Sequence, residues 1–110
     1  MNLIYHKGLT TKNWFSKNIF YQMANIGSEV GRANIWKKKN HQDSVLAFER
    51  ALELLDLTII DPKNKSKLKE LLRLREVLAD YFVFDNQYKS SEHLWNNYFN
   101  AFGYAARLKT

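Results

Sequence analysis

Three histidines, eleven acidic residues and no cysteine bound the chemistry open to this 110-residue chain. Without thiols there are no disulfides, thiolate metal sites or cysteine nucleophiles. Di-metal sites in helical bundles use Glu-x-x-His pairs, and no acid here has a histidine three positions later. Glu49 and Glu53 share a helix face at i,i+4, but Arg50 lies three residues before Glu53, which fits a salt-bridged surface. His6, His41 and His93 fall near segment ends, where solvated or capping histidines are expected. Neither a metal nor a cofactor is expected.

One nuclease arrangement suits small helical proteins: the HEPN ribonucleases carry an arginine with a histidine four to six residues on. Arg32, Arg50, Arg73 and Arg75 all lack that histidine. The nearest approach is Arg75 followed by Asp80-Tyr81, and a carboxylate cannot supply imidazole acid–base chemistry near neutral pH. A degenerate nuclease is therefore a minor alternative. The expectation is a non-enzymatic protein, with Arg73, Arg75, Glu76 and Asp80 in a surface or inter-helix charge network.

The elements that position these groups read as helices. Four glycines and one proline leave little turn material, and apolar residues recur at spacings of three and four. The first helix spans about 11–39, with Thr11 as cap and a stripe of Phe15, Ile19, Met23, Ile26, Val30 and Ala33. The second spans 41–60, capped by Asn40, with Val45, Phe48, Leu52, Leu55 and Ile59 in line. Pro62 disfavours helical geometry at Asp61 and opens the third, 62–84, through Leu68, Leu71, Leu74, Leu78 and Tyr81. Ser90 or Ser91 caps the fourth, 91–108, with Trp95, Tyr98, Phe102 and Ala105 facing in. Short connections between long helices force neighbours antiparallel. The expected fold is all-α: residues 1–110 as one domain, an up-down-up-down four-helix bundle. No segment is long and apolar enough to span a bilayer, and residues 1–8 do not resemble a secretory signal, so a cytoplasmic location without membrane contact is expected.

On this topology the charge polarises. Lys7, Lys12, Lys17, Lys63, Lys65, Lys67, Lys69, Arg107 and Lys109 gather at one end against Asp56, Asp61 and Glu70. That difference equals the whole formal net charge of +6. Such an end is an electrostatic footprint for phosphate backbones. Solubility alone, or an acidic protein partner, are the competing readings. Lysine outnumbers arginine there, which favours backbone contact over base readout.

Gly27 and Gly31 interrupt the first helix at about 1 kcal/mol each relative to alanine. Close helix–helix packing is the expected reason. The last helix carries more aromatic surface than one stripe needs. Trp95, Phe99 and Tyr104 are therefore expected at an interface with a second copy or another subunit. An interaction protein, with lysines for solubility, is the alternative function.

The segment Asn25-Ile26-Gly27-Ser28-Glu29-Val30-Gly31-Arg32, followed by Ala47-Phe48-Glu49-Arg50-Ala51-Leu52-Glu53-Leu54-Leu55, resembles the bacterial four-helix bundles encoded in rRNA intervening sequences and their Avd relatives. The resemblance rests chiefly on Asn25, Ile26, Gly31, Arg32, Phe48, Ala51 and Leu52, about 35 residues of chain in all, and brings no catalytic motif. It implies a basic, non-enzymatic and often oligomeric bundle associated with RNA, rather than DNA, or with an RNA-handling protein.

Overall fold

The computed structural model describes residues 3–108, and every regular element among them is helical. The elements are α1 (Thr11–Phe15), α2 (Ile19–Lys37), α3 (His41–Ile60), a 3₁₀ helix (Pro62–Lys67), α4 (Leu68–Phe82) and α5 (Glu92–Leu108).

The expected first helix is two. Thr10, one residue before the expected cap, accepts from the Asn13 N–H and starts α1. Asn18 then adopts an extended backbone and accepts from the Tyr21 N–H to start α2. An Asn side chain that can cap breaks a continuous helix at little cost, because it satisfies donors the break exposes. Asn40 caps α3 through the Asp43 N–H as expected. Pro62 opens a 3₁₀ turn rather than α4 directly. Asp61 accepts from the Lys63 N–H while the buried Asn64 amide donates to Gln22 and to the Thr58 carbonyl, and those bonds hold the turn tighter than an α-helix. α4 ends at Phe82, two residues early, because Asp80 draws the chain back by accepting the Gln87 and Tyr88 N–H groups. Asn86 and Lys89 take left-handed φ of 53° and 55° in that loop. The Ser91 hydroxyl caps α5 at the Leu94 N–H.

One hydrophobic core runs through α1, α2, α3, α4 and α5. Met23, Ile26, Val30 and Ala33 of α2 are buried as their spacing predicts, as are Leu71, Leu74, Leu78 and Tyr81 of α4. α3 departs from its expected stripe: Phe48 and Leu55 are buried, but so are Ala47, Ala51, Leu54, Leu57 and Thr58. It meets α1, α2, α4 and the 3₁₀ turn, so several faces are covered. Named contacts fix the neighbours: Ser44 at the start of α3 bonds Ala33 near the end of α2, and Tyr81 at the end of α4 bonds Asn34 of α2. Phe99 of α5 lies on Gly27 of α2.

Candidate nucleic-acid interface

A buried polar knot builds the lysine-rich end. Trp14 Nε1 donates to Thr58 Oγ1 at 3.0 Å. Gln22 Nε2 donates to Asp61 Oδ2 at 2.8 Å and to the Trp14 carbonyl at 3.0 Å. Asn64 Nδ2 completes it on Gln22 Oε1 at 2.9 Å. All these side chains are buried, and such groups are affordable only when bonded. Burial by itself would raise the Asp61 carboxyl, but Lys63, Gln22 and the Lys63 N–H overcome it and hold the group below its ordinary value. The knot thereby locks α1, α2, α3 and the 3₁₀ turn into one rigid base from which lysines project.

Lys12, Lys17, Lys65, Lys67, Lys69 and Arg107 are exposed. Lys17 sits over the Tyr21 ring at 5.1 Å. Lys67 shares a small recess with Ile19, Met23 and Phe102, which puts the 3₁₀ turn beside the start of α2 and the later part of α5. Arg107 and Tyr21 line one groove. Among the described residues, no ion pair engages Lys12, Lys17, Lys65, Lys67 or Lys69. Lys63 is the exception, and the expectation for it is corrected. It pairs with buried Asp61 and donates to the Phe15 carbonyl at 3.0 Å, so it is consumed in holding the turn. Lys109 lies outside the described residues.

The two glycines separate. A Cβ on Gly27 would meet Phe99 carbons at 2.6–2.9 Å, so close packing holds there. Gly31 is corrected: a Cβ there meets nothing within 4 Å. It opens instead onto a groove of about 550 Å³ between α2 and α5, with Ser28, Asn100 and Gly103. Trp95 and Phe99 are also corrected as surface groups. Both are 6% exposed, stacked with ring centroids 6.0 Å apart, because α5 turns them onto α2 and α4. Tyr104 is 60% exposed. Tyr98 reaches Glu70 at 3.4 Å, and its hydroxyl is pushed up to about 12 by burial and that carboxylate.

The sequence reading missed how the acids at 49 and 53 are used. Glu53 accepts the N–H groups of Ile4, Tyr5 and His6 and lies 2.9 Å from His6 Nδ1. The Tyr5 hydroxyl donates to Glu49. Burial alone would raise the Glu53 carboxyl, yet the His6 ring and three N–H groups hold it below its ordinary value. His6 is thus wedged between Glu53 and Glu29 rather than solvated. Nothing in residue spacing links position 6 to position 53, so only tertiary contact reveals this clasp. The expected Arg75 network also narrows: Arg75 pairs with Asp56 at 2.8 Å, while Asp80 holds loop N–H groups.

Among the described residues no cluster of three or more His, Asp or Glu is arranged to hold a metal ion. Among the same residues no helix is long and apolar enough to cross a membrane. A scan of protein-family models and searches of curated proteins and of solved structures returned no match to this chain.

Proposed function

We propose that this protein is a non-enzymatic helical module that binds the phosphate backbone of nucleic acid, RNA before DNA, through its lysine-rich end. The observation that carries this reading is the contrast among lysines. Lys12, Lys17, Lys65, Lys67 and Lys69 are exposed without an ion pair, and all but Lys69, which lies in the first turn of α4, stand on or beside a base stiffened by the Asp61 knot. Unpaired lysines on a rigid support neutralise phosphates without first breaking a salt bridge. In the finer architecture of this reading, α2, α3, α4 and α5 form an up-down-up-down four-helix bundle in a single domain. That arrangement is supported by Ser44 meeting Ala33, Gln22 meeting Asp61 and Tyr81 meeting Asn34. The similarity to bundles encoded in rRNA intervening sequences makes RNA the first polymer to try and a bacterial cytoplasm the setting.

Anisotropy titrations of labelled single-stranded RNA at about 50 and about 200 mM salt test the proposal. Affinity falls steeply between the two and varies little with base sequence, because backbone contacts carry no base information. Absence of binding at the lower salt overturns it and leaves the lysines to solubility, with the chain acting as an interaction protein.

A further inference from the structure

The groove of about 550 Å³ between α2 and α5 has the size of a ligand site. Its direction follows from the ends of the two helices. Lys38, just after α2, pairs with Glu92 in the first turn of α5, so the helices run antiparallel and the last turn of α5 returns to the start of α2. Arg107 and Tyr21 therefore mark one end of the groove, with Trp95 and Gly31 toward the other. Lys17 stands over the Tyr21 ring, so the groove opens out of the basic end.

Among the described residues that line it, Arg107 carries the one charge and no carboxylate is present, so a polyanion entering it meets no repulsion. Asn96 and Asn100 stand about one turn apart on the α5 wall. Both are exposed, and among the described residues neither side chain has a hydrogen-bond partner, whereas Asn97 is held by His93. On the α2 wall the Ser28 hydroxyl donates to the Ala24 carbonyl and the Asn25 amide to the Tyr21 carbonyl, which leaves both side-chain oxygens open to accept. Gly31 and Gly103 have open space where a Cβ would stand. Glycine is costly inside a helix, and no neighbour explains these two as Phe99 explains Gly27. What they supply is bare backbone on both walls.

Lysines cannot tell RNA from DNA, because both present the same phosphates. The group that differs is the ribose 2′-hydroxyl, a donor and an acceptor at once. A carboxamide is also both, and it is neutral. Two of them stand without a partner in a groove that leads out of the phosphate-binding end. We infer, resting on the nucleic-acid reading, that the α2–α5 groove takes a single-stranded segment of the bound RNA, with Asn96 and Asn100 hydrogen-bonded to ribose 2′-hydroxyls while the lysines hold phosphates. The groove is what distinguishes RNA from DNA. Contacts to sugars carry no base information, so tolerance of sequence is kept.

Anisotropy titrations at about 50 mM salt compare an RNA strand with the 2′-deoxy strand of the same bases. The parent binds the RNA about tenfold or more tightly, the scale of one or two hydrogen bonds. Combining Asn96→Ala with Asn100→Ala brings RNA affinity down to that of the 2′-deoxy strand and leaves the latter unchanged. Combining Gly31→Leu with Gly103→Leu, which fills the groove and touches no lysine, does the same. Replacing Lys65, Lys67 and Lys69 by glutamine weakens both strands alike and preserves their ratio. Circular dichroism and melting establish that each variant is folded, and should the leucine pair fail to fold, the alanine pair decides alone. Equal affinity of the parent for the two strands, or a preference for RNA that survives the alanine pair, overturns the inference and leaves the backbone reading standing. Binding of neither strand overturns both.

Discussion

The two ends of the molecule use lysine differently. At the end where α2 meets α3 and α5 begins, Lys37 donates to the Tyr81 carbonyl at 2.9 Å and sits 3.9 Å from the Tyr81 ring centre. Burial there lowers its pKa. Lys38 pairs with Glu92 at 2.9 Å. At the opposite end Lys63 is tied down, whereas Lys65, Lys67 and Lys69 project from the same short stretch without an ion pair. Each end also has a turn organised by a buried aspartate: Asp80 holds the Gln87 and Tyr88 N–H groups, and Asp61 holds Gln22 and Lys63. Charge counting alone cannot separate these roles. What separates them is whether a partner lies within reach.

The largest expected difference between the ends is in stability. Asp61→Ala leaves Gln22 and Lys63 without their acceptor and costs about 3 kcal/mol, whereas Asp80→Ala releases two loop N–H groups that water can satisfy and costs about 1–2 kcal/mol. Thermal melting of the two variants checks the order. The pH dependence follows from the depressed Asp61 carboxyl. Its contribution is complete above its ordinary value of 3.8 and is lost as pH falls through the lower folded value. The gap between parent and Asp61→Ala therefore closes in strongly acid solution and is constant near neutrality.

Next comes binding. Replacing Lys65, Lys67 and Lys69 by glutamine lowers the log–log salt slope for single-stranded RNA by about 2, at about 0.7 per phosphate. Replacing Lys37, Lys38 and Lys39 changes it little, because the first two are already engaged. Equal effects from both triple variants in paired titrations would erase the distinction between the ends.

Between the ends, α2 offers a finer contrast. Gly27→Ala forces a methyl into Phe99 and costs about 1–3 kcal/mol. Gly31→Ala has open space and gains about 0.5–1 kcal/mol from helix propensity. Chemical denaturation should show opposite signs. The smallest effect is from single lysines: Lys37→Gln loses an aromatic contact worth about 0.5–1 kcal/mol, while Lys65→Gln stays within about 0.5 kcal/mol of the parent. A Lys65→Gln protein that melts as low as Lys37→Gln would mean that Lys65 too is structural.

Much of the fold was legible in residue order. Helical spacing placed the inward faces of α2 and α4, and Asn40 and Asp61-Pro62 marked real boundaries. Such signals act over one or two turns, where backbone donors and nearby side chains decide locally. The break at Asn18 is equally local, but a continuous apolar stripe from Phe15 to Met23 masks it. The lysine-rich end was legible in part, since sequence shows where positive charge accumulates but not that Lys63 is spent on Asp61.

Residue types and spacing by themselves determined that this chain is helical, where most helices begin and stop, and that positive charge concentrates around 63–69. Tertiary structure alone decided which groups are available. It buried Phe99 beside Trp95 of the inward stripe, left Leu94, Tyr104 and Leu108 outside, and separated Gly27 from Gly31 by the position of one phenylalanine. It also brought Glu53 to His6 across 47 residues. Periodicity reports how many faces of a helix are apolar, but the face that meets the core is set by neighbours far along the chain, and short-range signals carry no record of them.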